Sequence, residues 1–300
     1  MDREHLPEIP LPPIARRPIN QHLAFCQNAG LVYERYVKYR RPERDWSLEA
    51  TRSQKPKHDA IQATINAQNL FSSSKEFWNS FQNRWQRITA NTQPFEASPD
   101  WRFVTGLGAD GPLEVGFVFH RIYGFPIIPG SGLKGLARMT ARVDLADRVK
   151  VDELENLRWL DDPDNRKIEE MLTEYTSNLP DEEIRALVYK CRLIFGTTDR
   201  AGEAVFFDAI PTSPPKLEID VMTPHHSKYY QGSEPPADWQ EPIPVPFLAV
   251  SKDTRFLFAV GWRGKGNEVA HRQAKAWLQK GLQELGAGAK TSAGYGYFNI

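Results

Sequence analysis

The chain has 300 residues, of which 40% are hydrophobic and 25% are charged, and its mean hydropathy is −0.54. This length suits one elaborated domain or two small ones. The 38 basic residues balance the 38 acidic residues, and a net charge of zero argues against indiscriminate binding of polyanions. No stretch approaches the roughly 20 apolar residues of a membrane span and no signal-peptide core is present, so we expect a cytoplasmic protein without membrane association.

The common cofactor sites do not fit this sequence. The two cysteines, Cys26 and Cys191, lie far apart and form no CxxC pair, so we expect no structural zinc and a reducing compartment. The segment GSGLKG, residues 130–135, matches the glycine fingerprint of dinucleotide-binding proteins. The run before it, IYGFPIIP, contains two prolines that a central parallel strand does not tolerate. No glycine stands immediately before Lys290, so a P-loop is not expected either, and we predict no nucleotide cofactor and no metal.

The first hundred residues predict a proline-rich start and a helical extension. Residues 1–19 contain many prolines and are expected to be extended. Apolar and aromatic residues recur at three- and four-residue steps in 57–90, which predicts a helix, and another helix is predicted over 20–41. Basic residues concentrate between Tyr33 and His58, which makes this stretch a candidate for local contact with a polyanion.

The middle of the chain predicts two strands, a helix and an acidic insertion. Strands are predicted over 101–107 and 113–122. Pro129 and Ser131 signal the start of a helix. Residues 144–192 are polar, acidic and helical in pattern, as expected of an insertion on the outside of the fold.

In the last hundred residues the hydrophobic pattern becomes that of β-strands. The runs GEAVFFDAI and KLEIDVM predict one hairpin, and PVPFLAV and TRFLFAV predict another. Residues 267–285 predict an amphipathic helix that ends at Gly286, before a glycine-rich loop and a last strand.

Without the insertions, the predicted order is strand, helix, two strands, helix and strand. This order is typical of an α+β fold with an RRM-like or ferredoxin-like antiparallel sheet and two helices on one face. We therefore predict a helical extension over 1–100 and an RRM-like domain over 101–300, with the acidic helical insertion at about 144–192.

The first glycine-rich loop offers donors suited to phosphate oxygens. Ser131 and Lys134 stand at the predicted start of a helix, a position that attracts anions. Arg138 follows Lys134 by one helical turn and adds a second positive charge. These three residues are candidates for contact with a nucleic-acid backbone.

The second glycine-rich loop, GAGAKTSAGYGYF at residues 286–298, has similar ingredients. Glycines such as Gly288 let another backbone come close. A cation and two hydroxyls suited to phosphate stand among them: Lys290, Thr291 and Ser292. If the two loops meet, they form one groove for a nucleic-acid backbone, with Tyr295 placed to stack on a base.

Adjacent histidines, His225 and His226, follow a predicted strand and precede Tyr229. A histidine in a loop can act as general acid or base in RNA cleavage, and it can equally pack locally or contact RNA beside a tyrosine. The sequence leaves these alternatives open. A metal site is not expected because no HxxxH or HxH spacing occurs.

Three segments together resemble a known family. HRIYGFPIIPGSGLKGLAR, residues 120–138, and the C-terminal loop at 286–298 resemble the signature segments of the RAMP superfamily of CRISPR-associated proteins. The run EIDVMTPHHSKYYQG, followed by DWQEPIPVPFLAV, is similar to the sixth-subunit family of Cmr (type III-B) effector complexes. The resemblance covers residues 101–300.

The resemblance implies a non-catalytic RNA-binding subunit of a cytoplasmic ribonucleoprotein that serves antiviral defence. Its partners would be the CRISPR guide RNA, the target RNA and other RAMP subunits of the Cmr complex. It would hold the guide near the 3′ end of that RNA. The alternative within the superfamily is a metal-independent endoribonuclease that processes CRISPR repeat RNA with His225 or His226. No catalytic residue is carried over from the family.

Overall fold

The structure is a computed structural model that describes residues 8–39, 55–113, 115–150, 154–176, 182–223, 244–264 and 266–300. Its helices are α1 (Pro13–His22), α2 (Ala29–Arg35), α3 (Lys55–Ser72), α4 (Lys75–Ile88), α5 (Gly130–Val149), α6 (Asn165–Thr176), α7 (Glu182–Phe195) and α8 (Glu268–Glu284). Its strands are β1 (Phe95–Pro99), β2 (Arg102–Phe103), β3 (Ala204–Phe206), β4 (Ile210–Pro211), β5 (Leu217–Met222), β6 (Val245–Ser251), β7 (Phe256–Phe258), β8 (Val260–Trp262) and β9 (Phe298–Asn299). Short 3₁₀ helices lie at Leu23–Phe25, Leu154–Asp161 and Thr291–Ala293. The predicted α+β class is confirmed.

The chain forms two compact units, each assembled from three stretches. The first unit comprises 1–78, 104–126 and 213–254, and the second comprises 79–103, 127–212 and 255–300. The predicted boundary after residue 100 falls inside a stretch of the second unit. The assignment of an extension and a family domain to the two sides of that boundary stays a prediction.

The core of the first unit consists of helices on an antiparallel strand pair. β5 pairs with β6 in the register Leu217↔Val250, and β6 is buried along almost its whole length. α3 packs against both strands and against α2. The Asn28 side chain caps α2 by accepting a hydrogen bond from the Leu31 N–H (2.9 Å), so a polar residue and not a continuing apolar period sets the start of this helix.

The second unit contains a four-stranded antiparallel sheet in the order β4-β7-β1-β9. β7 contributes Phe256 and Phe258 to the core, and Phe298 of β9 packs beside them with its ring 5.7 Å from that of Phe258. A separate pair joins β3 to β8. The element order β1, α5, β4, β7, α8, β9, combined with this strand order, corresponds to a split βαβ connectivity. The finer RRM-like assignment stays a prediction that this order supports.

Helices α5 and α8 pack together closely in the second unit. A β-carbon at Gly281 would come within 2.9 Å of the Leu136 side chain, so glycine permits the contact. Closer to the start of α8, the Trp277 Nε1–H donates to Asp144 Oδ2 (2.9 Å), and Lys280 is ion-paired with the same carboxylate. Because later residues of α8 meet earlier residues of α5, the helices run antiparallel. The end of α8 and the start of α5 therefore lie at the same end of the pair.

Several predicted elements are wrong. Neither predicted hairpin forms among the described strands: β5, from KLEIDVM, pairs with the next strand β6, and β7, from TRFLFAV, pairs with β1 and β4. Residues 1–19 are not extended throughout, since α1 begins at Pro13; the predicted helix over 20–41 contains the end of α1, a 3₁₀ turn and α2, and the helix over 57–90 is two helices. The first strand, β1, begins at Phe95, and of the strand predicted over 101–107 only Arg102–Phe103 (β2) forms. Within the described residues of 113–122, the only strand-like pairing is an isolated bridge from Phe119 to Pro126.

A candidate nucleic-acid interface

The start of α5 is anchored by backbone contacts within the second unit. The Gly130 N–H donates to Asp208 Oδ1 (2.7 Å), and Ile128 pairs with Ala209 just before the helix begins. A β-carbon at Gly130 would overlap the carbonyl oxygen of Phe206. Glycine is thus required here by the fold. Asp208 therefore occupies the first amide of the helix, which makes that N–H unavailable to an anionic ligand.

A small cavity of about 210 Å³ opens beside this helix start. Its walls come from Gly130, Ser131 and Lys134 of α5, from residues of the 201–206 segment, and from Arg263 just after β8. It is smaller than the pockets of roughly 300–1,000 Å³ that bind cofactors and drug-sized ligands. This volume accommodates a phosphate group, with the attached sugar outside the cavity, better than a whole nucleotide.

The cavity is positively charged. Burial lowers the pKa of Lys134 below its ordinary value of 10.5, and the positive charges of Arg138 and Arg263 lower it further. Within the described part of the chain, neither Lys134 nor Arg263 has a carboxylate at ion-pair distance. The like charges of Lys134 and Arg263 favour an anionic ligand, because the ligand relieves their repulsion. Arg263 was not predicted from sequence, since it follows a short strand with no motif around it.

Arg138, predicted to contact phosphate, lies in an ion pair inside the chain. Its guanidinium pairs with Asp161, which also accepts a hydrogen bond from Arg142 Nη2 (2.7 Å). The two arginines thereby fix the end of the 3₁₀ helix Leu154–Asp161 onto α5. Arg138 adds positive potential near Lys134, but its direct contact with phosphate stays a prediction.

Two glycines of the first loop have no explanation inside the fold. Gly132 and Gly135 lie on exposed parts of α5, and a β-carbon at either position would meet no atom within 4 Å. Glycine inside a helix costs roughly 1 kcal/mol relative to alanine. These glycines share a helix face with Met139, which is 43% exposed. The result is a smooth, open helix surface next to the Lys134 cavity.

The second glycine-rich loop is shaped by its own backbone. The Ala287 N–H donates to the Gly296 carbonyl (2.7 Å), which closes the base of the loop. A β-carbon at Gly296 would overlap the Ala287 carbonyl oxygen, and its φ is +77°. Gly288 and Gly294 also have positive φ values, of +81° and +88°. Here the glycines are needed for backbone geometry.

Lys290 is the exception in this loop. It adopts a left-handed backbone with φ +60°, although it has a side chain. Such a conformation costs roughly 1–2 kcal/mol for an ordinary residue, whereas glycine adopts it freely. Its ammonium lies 6.0 Å from the centre of the Tyr295 ring. Thr291 beside it is partly buried, and Ser292 is exposed.

The aromatic residue presented near this loop is Trp101 and not Tyr295. Tyr295 is only 7% exposed, so its ring has little surface for the base stacking that we predicted. Trp101 is 45% exposed, and its ring centre lies 4.8 Å from that of Tyr295. The backbone joins the two segments, because the Gly296 N–H donates to the Arg102 carbonyl (2.8 Å). A tryptophan next to an arginine in SPDWRF is the sequence signal that could have identified this position.

The predicted residues therefore fall into two groups. Ser131 and Lys134 line the cavity, and Gly288, Lys290, Thr291, Ser292 and Tyr295 belong to the C-terminal loop. No residue of 286–298 is among the cavity walls. The two loops leave the same end of the α5–α8 pair, and their union in one groove stays a prediction. His225, His226 and Tyr229 lie outside the described residues.

The described residues offer neither a metal-binding cluster nor a membrane-spanning helix. They contain no group of three or more histidine, cysteine or acidic residues placed to hold a metal ion. None of the helices that the structure describes is long and apolar enough to cross a membrane.

Comparison with known proteins gives a consistent result. The family model of the RAMP superfamily matches residues 101–299. The curated protein CRISPR system Cmr subunit Cmr6 of Pyrococcus furiosus is 34% identical over 247 residues, which cover 74% of this chain and 71% of the relative. The crystal structure of Cmr6 from Pyrococcus furiosus is 33% identical, with a TM-score of 0.46, and the match covers 69% of this chain and 97% of that one.

A second solved structure has a similar fold at lower identity. It is a chain in the cryo-EM structure of the type III-B Cmr-beta complex bound to cognate target RNA. The TM-score is 0.52 at 21% identity, and the match covers 82% of this chain and 72% of that one. At this identity the likeness concerns the fold alone.

Proposed function

Because the chain belongs to the RAMP superfamily and within it to the Cmr6 family, we propose that it is a structural, RNA-binding subunit of a type III-B CRISPR effector complex. Its partners in this proposal are the other RAMP subunits of the complex, the guide RNA and the target RNA. A cytoplasmic location, a contact near the 3′ end of the guide and the absence of catalysis belong to the same proposal.

The observation that carries the RNA-binding role is the positive cavity at the start of α5. Lys134 and Arg263 face it without a carboxylate partner in the described part of the chain, and Lys134 has a lowered pKa because of burial and neighbouring positive charge. We assign these two side chains to phosphate groups of an RNA strand, with the exposed Ser131 hydroxyl as an additional donor. Contacts of this kind position a backbone and carry no sequence preference.

The open glycines beside the cavity fit the same role. A strand held by Lys134 passes over the exposed turn of α5 that contains Gly132 and Gly135. The lack of side chains there lets a bulky sugar–phosphate backbone or a neighbouring subunit lie against the helix. This accounts for two residues that cost helix stability and contribute nothing to packing.

The C-terminal loop provides a second contact in the proposal. Lys290 and Ser292 supply a cation and a hydroxyl, and Thr291 adds another hydroxyl that is partly buried. Since α5 and α8 run antiparallel, this loop and the cavity belong to the same end of the helix pair. One strand that follows this end would contact both. We assign no catalytic residue, and the alternative of an endoribonuclease with His225 or His226 is an outcome of the test.

The test is co-purification of the tagged chain with the other complex subunits and RNA. We expect guide-length RNA and several RAMP partners with the wild-type chain, and reduced RNA recovery with Lys134→Ala plus Arg263→Ala. The matched control is Lys252→Ala plus Arg272→Ala, because both residues are exposed and unpaired among the described residues. Equal RNA recovery from both double variants would contradict the assigned site. A chain that purifies alone and cuts repeat RNA until His225 and His226 are changed to alanine would be a processing nuclease instead.

A further inference from the structure

Trp101 is a large apolar side chain kept at the surface of the second unit. It lies between β1 and β2 and is 45% exposed. A single exposed apolar residue is ordinary in a folded protein. Trp101 differs because its ring packs against another aromatic ring and has two cations nearby.

The mount is rigid. Tyr295 lies under the indole with the ring centres 4.8 Å apart and an angle of 45° between the planes, and Tyr295 itself is buried. The Asp100 N–H donates to the Tyr297 carbonyl (2.7 Å), and the Gly296 N–H donates to the Arg102 carbonyl (2.8 Å). Backbone hydrogen bonds on both sides of Trp101 therefore tie it to the closed base of the glycine-rich loop. A ring held in this way loses little conformational freedom when a ligand stacks on it.

The charge around the ring favours an anionic ligand. The Arg102 guanidinium lies over the Trp101 ring, with its carbon 5.0 Å from the ring centre, and the Lys290 ammonium lies over the Tyr295 ring, 6.0 Å from its centre. The neighbouring carboxylate, Asp100, accepts a hydrogen bond from the Asn299 side-chain amide (3.0 Å). An aromatic surface bordered by cations is the arrangement by which proteins bind single-stranded nucleic acid, with bases on the rings and phosphates on the charges.

We infer that Trp101 is a stacking platform for an unpaired base of RNA: the base takes the place of the Arg102 guanidinium over the ring, and Arg102 and Lys290 then pair with the flanking phosphates. The inference rests on the proposed RNA-binding function and extends it to a base contact. Stacking of this kind tolerates any base, because every base has a π face. The platform thus adds affinity for a single strand without adding sequence preference. A protein partner with an apolar contact surface is the competing occupant.

The test separates bases from phosphates by comparing two probes. One is a fluorescent oligoadenylate and the other is an abasic ribose–phosphate oligomer of the same length. We expect Trp101→Ala in the full chain to weaken binding of oligoadenylate by about 10-fold, as for removal of one stacked base, and to leave binding of the abasic oligomer within about 2-fold. Trp101→Phe, which keeps a π face, should recover most of the affinity. The salt dependence of binding should not change, because no phosphate contact is removed.

Each outcome bears on a different claim. If Trp101→Ala and wild type bind oligoadenylate equally, while thermal melting shows both folded, the platform is wrong although the RNA-binding function stands. If Trp101→Ala binds RNA normally but fails to enter the complex with its partner subunits, the surface is a protein contact. If the wild-type chain binds neither probe, the RNA-binding part of the proposed function is overturned. Trp101→Leu, which keeps an apolar side chain but has no π face, should weaken binding of oligoadenylate like the alanine variant and keeps the test valid should that variant fold poorly.

Discussion

The two glycine-rich loops of this chain resemble each other in sequence and differ in what their glycines do. In the C-terminal loop, positive φ values and close backbone contacts require glycine, as at Gly296. In the loop at the start of α5, only Gly130 is required by a contact inside the fold, whereas Gly132 and Gly135 face open space. The first kind of glycine builds the loop. The second kind leaves room for something outside the chain.

The lysines of the two loops also differ, one in its side-chain environment and the other in its backbone conformation. Lys134 lies on an ordinary helical backbone, and its side chain experiences burial and like charge. Lys290 lies on a strained left-handed backbone in a loop where glycine would be easier. Both are placed at a cost, one electrostatic and one conformational. Residues retained against such costs are candidates for function.

The largest effect is expected from adding a methyl group where the fold requires glycine. Gly296→Ala should lower the free energy of unfolding by about 2–4 kcal/mol, because the β-carbon overlaps the Ala287 carbonyl and φ is +77°. The control is Gly264→Ala, which has the same φ of +77° with nothing near its β-carbon and should cost only about 1 kcal/mol. Urea unfolding measures both, and equal destabilisation would contradict the role of the close contact.

The next effect concerns the strained lysine. Lys290→Gly should weaken RNA binding by about 5- to 10-fold because one phosphate contact is removed, whereas the free energy of unfolding should change by less than about 1 kcal/mol, since the relieved strain offsets the added freedom of the unfolded chain. Lys290→Ala, which keeps the strain, should bind RNA equally weakly. Fluorescence anisotropy and urea unfolding give the two readouts. Full RNA affinity in both variants would show that the strain serves another purpose.

A smaller effect of opposite sign is expected in the open glycines. Gly132→Ala and Gly135→Ala should each raise the free energy of unfolding by about 0.5–1 kcal/mol, because alanine is the better helix former and meets no neighbour. The same variants should reduce incorporation into the effector complex, measured by co-purification with its subunits. Stabilised variants that assemble like wild type would mean that nothing lies close to this face of α5.

The smallest expected effect is the pH dependence due to Lys134. Its pKa is lowered in the folded chain, so between that lowered value and 10.5 the unfolded chain binds more protons than the folded chain. The contribution of Lys134 to stability therefore rises as pH rises through this window, and at neutral pH its charge slightly destabilises the fold. Lys134→Met should be a little more stable than wild type at pH 7 in urea unfolding, with the difference shrinking as the pH rises towards 10.5. Lys252→Met is the control and should show no such trend.

The sequence was informative where the physical cause is local. The helix after Pro129, the helix over 267–285 and the glycine-rich loop were predictable, since periodicity, proline and glycine act within a few residues. Strand pairing was not, because β7 contacts β1 and β4 through packing of Phe256 and Phe258 with distant segments. A proline-rich turn such as PTSPP marks a change of direction and leaves the choice of partner open.

The candidate site shows the same division. Ser131, Lys134 and the donors of the C-terminal loop were found from composition and position. Arg263 and Trp101 were not, because each comes to the site through the pairing of strands distant in sequence. Arg138 was chosen for its spacing on the helix, and only the structure shows its ion pair with Asp161. Whether a predicted cation is available to a ligand depends on its contacts with residues far away in the sequence, as Asp161 shows for Arg138.

The central claim is that Lys134 and Arg263 hold an RNA backbone, and the most direct measurement is the salt dependence of RNA binding by the full chain. For the double variant Lys134→Ala, Arg263→Ala, we predict a lower affinity and a slope of log K against log salt that is shallower by roughly 0.7 for each phosphate that is no longer neutralised. The control Lys252→Ala, Arg272→Ala should keep the wild-type slope. A double variant at the cavity with the affinity and slope of wild type would contradict the claim.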